Sequence, residues 1–173
     1  VGVSAWKVAS GEVTNTVLLD QMTEDGQPVL LSSGMSKMEE LSTAVRQVKA
    51  KGVPFVVMQC TSAYPTPPEE VGLNLLATYR EKFDCRVGLS DHSGTIFPSL
   101  AATVLGAEVV EVHVTLSREM FGPDVCASVT PDELSEMVRG IRFVERMLAH
   151  PLAKNLMADQ LEPLRKMFTK SVV

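Results

Sequence analysis

The sequence predicts an α/β fold, the C-terminal part of a (β/α)8 barrel, on three observations. Five short runs rich in Val, Leu or Met are nearly continuous rather than alternating, as parallel strands buried on both faces are. Helix-compatible stretches separate them, which argues for right-handed strand–helix–strand crossovers. Polar residues gather just after every run, where a barrel places its active-site face; a doubly wound open sheet would place ligands mainly at one switch point.

Strands are expected at residues 5–9, 28–32, 54–60, 86–90 and 107–114, and helices at 15–25, 37–51, 68–83, 95–106 and 131–149. The first strand leads into Ser10-Gly11-Glu12, and the second into Ser32-Ser33-Gly34. Ser36 with Glu39 reads as a capping box opening the next helix, whose Met38, Leu41, Val45 and Val48 share one face that should pack on the sheet. The third strand ends in Thr61-Ser62-Ala63-Tyr64-Pro65-Thr66-Pro67-Pro68, whose prolines stiffen a loop. The fourth ends in Ser90-Asp91-His92 and the fifth in His113-Val114-Thr115. Thr130-Pro131-Asp132-Glu133 places a capping hydroxyl, Pro at the first helical position and acids against the helix dipole. Gly26, Gly52 and Gly106 fall just after helices, where a left-handed residue is commonly needed.

Five strands do not close an eight-stranded barrel, and the sequence starts without Met in a strand, so about three further units are expected ahead of it. Residues 1–149 are read as the barrel part; 150–173, with Pro151 and Pro163, suit a linker.

Composition narrows the function. A chain of 173 residues, 45% hydrophobic, is normally one domain with a substantial core. A net charge of −5 argues against nucleic acid as a partner. No apolar stretch approaches the roughly 20 residues that span a bilayer, and no signal peptide opens the chain, so it reads as cytosolic with no membrane partner. Cys60, Cys85 and Cys126 are odd in number and lack C-x-x-C spacing, against a disulfide framework or thiolate zinc site; Cys60 reads as a small buried apolar residue.

Two of the three histidines, His92 and His113, end successive strands. Neutral imidazoles flanked by Asp91 and Glu111 suit a divalent metal of intermediate softness, although acid–base roles or satisfied core imidazoles would also account for them. Lys7, in a buried strand, asks for an anion, with Ser10 beside it and Glu12 positioning a second group; alternatively it snorkels out at a strand edge. Ser32-Ser33-Gly34 could supply donors to an anion or simply make a turn. Tyr64 could stand over a pocket, and Gly122-Pro123-Asp124 could bring Asp124 across the mouth or be an ordinary turn.

Together the strings Trp6-Lys7-Val8-Ala9-Ser10-Gly11-Glu12, Ser32-Ser33-Gly34-Met35, Gln59-Cys60-Thr61-Ser62-Ala63-Tyr64-Pro65-Thr66-Pro67, Gly88-Leu89-Ser90-Asp91-His92-Ser93, Glu111-Val112-His113-Val114-Thr115 and Gly122-Pro123-Asp124 resemble the motif series of the N-acetylneuraminate (sialic acid) synthase family over nearly the whole chain. The resemblance implies a TIM barrel, here its strands four to eight, with residues 168–173 leading towards an antifreeze-like domain. It implies condensation of phosphoenolpyruvate with an N-acylated aminohexose such as N-acetylmannosamine, by a cytoplasmic homodimer. It further implies that His92 and His113 hold a divalent metal (manganese, with magnesium or cobalt as alternatives) and act in catalysis with Glu12. Lys7, Ser10, Ser32 and Ser90 would bind phosphoenolpyruvate, and Tyr64 and Asp124 the sugar; Ser62, standing where some members carry an amide, is a further substrate-binding position. Other readings are a metal-dependent aldolase, a synthase joining phosphoenolpyruvate to a different sugar, or a non-catalytic carbohydrate-binding scaffold.

Overall fold

In a computed structural model, which describes residues 2–154 and 158–168, the strands form a sheet in sequence order, each parallel to its neighbours. They are β1 (Trp6–Val8), β2 (Val29–Ser32), β3 (Phe55–Cys60), β4 (Arg86–Asp91), β5 (Val109–Val114) and β6 (Ser128–Val129). The sheet curls through 207°, the wall of a partial (β/α)8 barrel. The helices are α1 (Thr16–Thr23), α2 (Met38–Ala50), α3 (Leu75–Phe83), α4 (Phe97–Val104), α5 (Pro131–Leu148) and α6 (Ala158–Phe168).

Side-chain alternation divides each strand between two jobs. Val8, Val29, Leu31, Val57, Val87 and Leu89 point outward and are buried against Leu19 of α1, Leu41, Val45 and Val48 of α2, Leu76 and Phe83 of α3 and Ala102 of α4. Each such buried aliphatic side chain contributes about 1.5–3 kcal/mol, so the sheet–helix layer is what holds the strand ends in place. The residues between them, Lys7, Ser32, Met58, Cys60, Ser90 and Glu111, turn to the hollow side. Gly88 belongs to that side because nothing larger fits: a Cβ there would collide with Met58 Sδ and stand 2.6 Å from the Val109 carbonyl oxygen.

The helix ends follow their local chemistry. Thr130 Oγ1 accepts from the Glu133 N–H at 3.3 Å and the Glu133 carboxylate accepts from the Thr130 N–H at 2.7 Å, the reciprocal capping box expected at α5. At α2 the cap is shifted by one residue from the expected Ser36 and Glu39: Lys37 is the N-cap, and its N–H donates to Glu40 at 2.7 Å. Gly52 and Gly106 take φ of 71° and 81° at the ends of α2 and α4.

Three elements differ from the sequence reading. The sheet has a sixth strand, β6, whose two residues pair with His113 and Val114; a two-residue strand has no periodicity of its own and exists through that pairing. The helix expected over 68–83 is broken, with a 3-10 turn at Pro68–Glu70 and α3 starting only at Leu75, because Gly72 between them adopts φ 68°. Helix α6 occupies part of the segment read as a linker, with Pro163 inside it. The rest of the expected link to a further domain, 169–173, lies outside the described residues. Among the described residues no helix is long and apolar enough to cross a membrane.

Candidate active site

The C-terminal strand ends converge because the sheet curls. Lys7 on β1 sends its ammonium across the hollow, where Nζ donates to Ser32 Oγ at 2.7 Å and pairs with Glu111 Oε2 of β5 at 2.8 Å. Just above, Ser10 Oγ accepts from the Gly34 N–H at 3.1 Å and lies 3.4 Å from Cys60 Sγ. Gly34 is indispensable to this cradle: an added Cβ would stand 2.8 Å from Ser62 Oγ and 2.9 Å from both Cys60 Sγ and Ser10 Oγ. A cation, hydroxyls and a backbone donor converging on one concave surface are the equipment of an anion site.

Beside it sit the histidines. His92, at the end of β4, is buried, and its Nδ1 lies 2.8 Å from the Thr61 carbonyl oxygen. A carbonyl only accepts, so Nδ1 carries the proton and Nε2 presents its lone pair, which the Tyr64 hydroxyl meets at 3.1 Å. Tyr64 stacks on His92 with ring centroids 4.2 Å apart and meets His113 edge-on at 5.7 Å. The two imidazole centroids are 5.1 Å apart, and His113 Nδ1 is 3.8 Å from Asp124 Oδ2.

The surroundings tune the protons. Burial pushes the Cys60 thiol up, but the neighbouring His92 imidazole and the Ser10 hydroxyl outweigh it and hold the thiol below its usual range. Burial pulls His92 down, yet the neighbouring Cys60 thiol and the bond to the Thr61 carbonyl leave it above an ordinary histidine.

The donor set fits a divalent metal. A carbonyl-fixed Nδ1–H that turns Nε2 outward is the usual support of a metal-binding imidazole. Among the described residues no group of three His, Cys, Asp or Glu side chains could by itself enclose an ion. Two imidazoles would therefore leave coordination positions to water and substrate, as a Lewis-acid role requires.

Of the residues singled out in the sequence, Lys7, Ser10, Ser32, Ser62, Tyr64, Ser90, His92, His113 and Asp124 come to this face, Ser90 buried beside Cys60, and Asp124 and Tyr64 at the open rim. Glu12 stands apart; it is exposed and its carboxylate accepts from Asn15 Nδ2 at 2.8 Å. Cys60 is buried, as its residue type suggests, but in polar rather than apolar company. The signal was in its parity: it faces the hollow with Met58 and pairs directly with Ser90 in the β3–β4 register. The partnership of Glu111 with Lys7 joins β5 to β1 across the hollow, which only the curl of the sheet reveals.

Asp91 faces the other way, buried in the wall and accepting from the N–H and the hydroxyl of Ser93 at 3.0 and 2.8 Å. Burial raises its carboxyl above the usual aspartate range despite those bonds. The folded chain then holds this proton more tightly than the unfolded one, so this group's contribution to stability is present below about pH 4 and falls as the pH climbs through the raised value. Denaturant titrations of Asp91→Asn against pH should show that decline flattened, with little stability lost near neutrality; an unchanged pH profile would remove Asp91 as its source.

Comparison with known proteins places this geometry. The profile of the NeuB family matches residues 1–152. Human N-acetylneuraminate-9-phosphate synthase is 40% identical over 174 aligned residues, covering 100% of this chain and 48% of that enzyme. The N,N'-diacetyllegionaminic acid synthase of Campylobacter jejuni is 34% identical, covering 92% of this chain and 49% of that one. The crystal structure of a sialic acid synthetase from Leptospira borgpetersenii, in complex with citrate, superposes with a TM-score of 0.85 at 31% identity, over 98% of this chain and 60% of that one. The chain thus spans about half the length of the curated relatives it matches. With a half-barrel that superposes on a sialic acid synthetase and a family profile running from its first residue through the end of α5, the chain belongs to the NeuB family.

Proposed function

We propose that the whole protein condenses phosphoenolpyruvate with an N-acylated aminohexose to give a nonulosonic acid and inorganic phosphate. The observation that carries this reading is the juxtaposition on one concave face of an anion cradle, Lys7 with Ser32, Ser10 and the Gly34 N–H, and an imidazole pair, His92 and His113. Phosphoenolpyruvate is a small, multiply charged anion, and its acceptor is an aldehyde that must be held and polarised. Family membership and the names of the relatives support the same chemistry.

In this account Lys7 exchanges part of its pairing with Glu111 for the phosphate or carboxylate of the substrate, while the Ser10, Ser32 and Ser90 hydroxyls orient it. Charge-assisted contacts of this kind both bind and fix direction. His92 and His113 would hold the divalent metal, manganese in our reading, which when bound supplies Lewis-acid polarisation of the aldehyde oxygen. The enol carbon then forms the new C–C bond, water adds to the adjacent carbon, and phosphate departs with the bridging oxygen as that C–O bond breaks. Glu12 is assigned to the proton handling of the water step, which requires its carboxylate to turn from Asn15 towards the cradle. Tyr64, Ser62 and Asp124, around the rim, are assigned to the sugar.

The full-length protein should release phosphate from phosphoenolpyruvate only when Mn2+ and an N-acylated aminohexose are both present, and a chelator should stop it. A panel of such sugars reads out the acceptor. Carbon–carbon bond formation without phosphate release would point to an aldolase, and sugar binding without turnover to a scaffold.

A further inference from the structure

The His92 ring has both nitrogens engaged: Nδ1 by the Thr61 carbonyl at 2.8 Å and Nε2 by the Tyr64 hydroxyl at 3.1 Å. A lone pair that accepts a hydrogen bond cannot at the same time ligate an ion. Of the two partners, Thr61 offers a main-chain carbonyl fixed at the end of β3, whereas Tyr64 is a side chain with 45% of its surface exposed, at the rim of the hollow. The Tyr64 ring also covers the approach to both imidazoles, stacked on His92 and edge-on to His113. We infer that Tyr64 is the gate of the metal centre, its hydroxyl competing with the ion for His92 Nε2.

The inference rests on the metal-holding role proposed above for the two histidines and adds an order to it. Metal entry breaks the Tyr64–His92 hydrogen bond and sets the phenol free to turn. The released hydroxyl is then a donor and acceptor at the rim, available to a sugar only after the ion is in place. Metal loading and sugar binding are thereby coupled through one side chain, with metal first.

The experiment is a Mn2+ titration of the full chain, read from the electron paramagnetic resonance signal of the free ion, with wild type, Tyr64→Phe and His92→Ala compared. Tyr64→Phe keeps the ring and removes the competing hydroxyl, so it should bind Mn2+ about two- to tenfold more tightly, the worth of one ordinary hydrogen bond. Mn2+ should also produce a tyrosine ultraviolet difference spectrum in wild type that Tyr64→Phe lacks, because the other tyrosine, Tyr79, is buried among Ser33, Gln59 and Phe83. Unchanged affinity in Tyr64→Phe overturns the gate while leaving the metal centre intact. Weaker binding overturns it too, since the phenol would then be a ligand. Loss of binding in His92→Ala ties the ion to this site; equal Mn2+ binding by wild type and His92→Ala removes the centre and the gate together.

Discussion

Replacing His113 with Ala is expected to lower metal-dependent turnover by more than about a hundredfold, since loss of even a supporting contact at a metal site costs ten- to a hundredfold. The fold should survive. His113 keeps 36% of its side-chain surface exposed, and its nearest charged partner, Asp124, is itself half exposed, so removing the ring strands no buried group. His92→Ala should match the loss of turnover but carry a stability cost of about 1–3 kcal/mol, because the Thr61 carbonyl loses the imidazole that satisfies it. The pair of variants therefore separates chemistry from folding. Steady-state phosphate release with and without Mn2+, set beside chemical denaturation, checks both. Full activity of either variant in chelator would dismiss the metal assignment.

Lys7→Met should weaken phosphoenolpyruvate binding by about ten- to a hundredfold, the 1.5–3 kcal/mol of a hydrogen bond to a charged group, and leave sugar binding nearly unchanged. The asymmetry follows from position: Lys7 Nζ touches Ser32 and Glu111, while Tyr64 and Asp124 lie beside the histidines. Met preserves the stem of the lysine, but Glu111 Oε2, a buried oxygen, is left without its ion-pair partner, so the variant also carries a stability cost that chemical denaturation reads separately. Binding of each substrate measured by calorimetry decides the matter. Equal losses for both would make Lys7 a structural residue that braces β1 against β5.

Much of this architecture was legible in the sequence for a physical reason. The residues that face the helices are mostly apolar and polar ones enter chiefly on the hollow side, so β1 to β5 stand out as apolar-rich runs, and alternation along them says which residues share the hollow. What could not be read depends on contacts between distant segments. β6 is two residues long and defined by its partner strand; the break before α3 turns on the φ of Gly72; and Pro163 disguises α6, although a helix can contain it. The site divides the same way. His92 and His113 announce themselves by equivalent positions at strand ends, but the meeting of Lys7 with Glu111 requires the curl that brings β1 opposite β5. Glu12 shows the converse: spacing alone sets it beside Ser10, while the main chain of the 3-10 turn Ser10–Glu12 directs its carboxylate to Asn15.

The central claim, that one concave face holds the ion and phosphoenolpyruvate side by side, is tested most directly by anomalous diffraction from crystals of the full-length protein grown with Mn2+ and phosphoenolpyruvate. The account predicts a manganese peak shared by His92 and His113, about 2–2.3 Å from each ring, with the substrate anion on Lys7 and Ser32. A peak away from both imidazoles, or an anion seated anywhere but the Lys7 cradle, would contradict it.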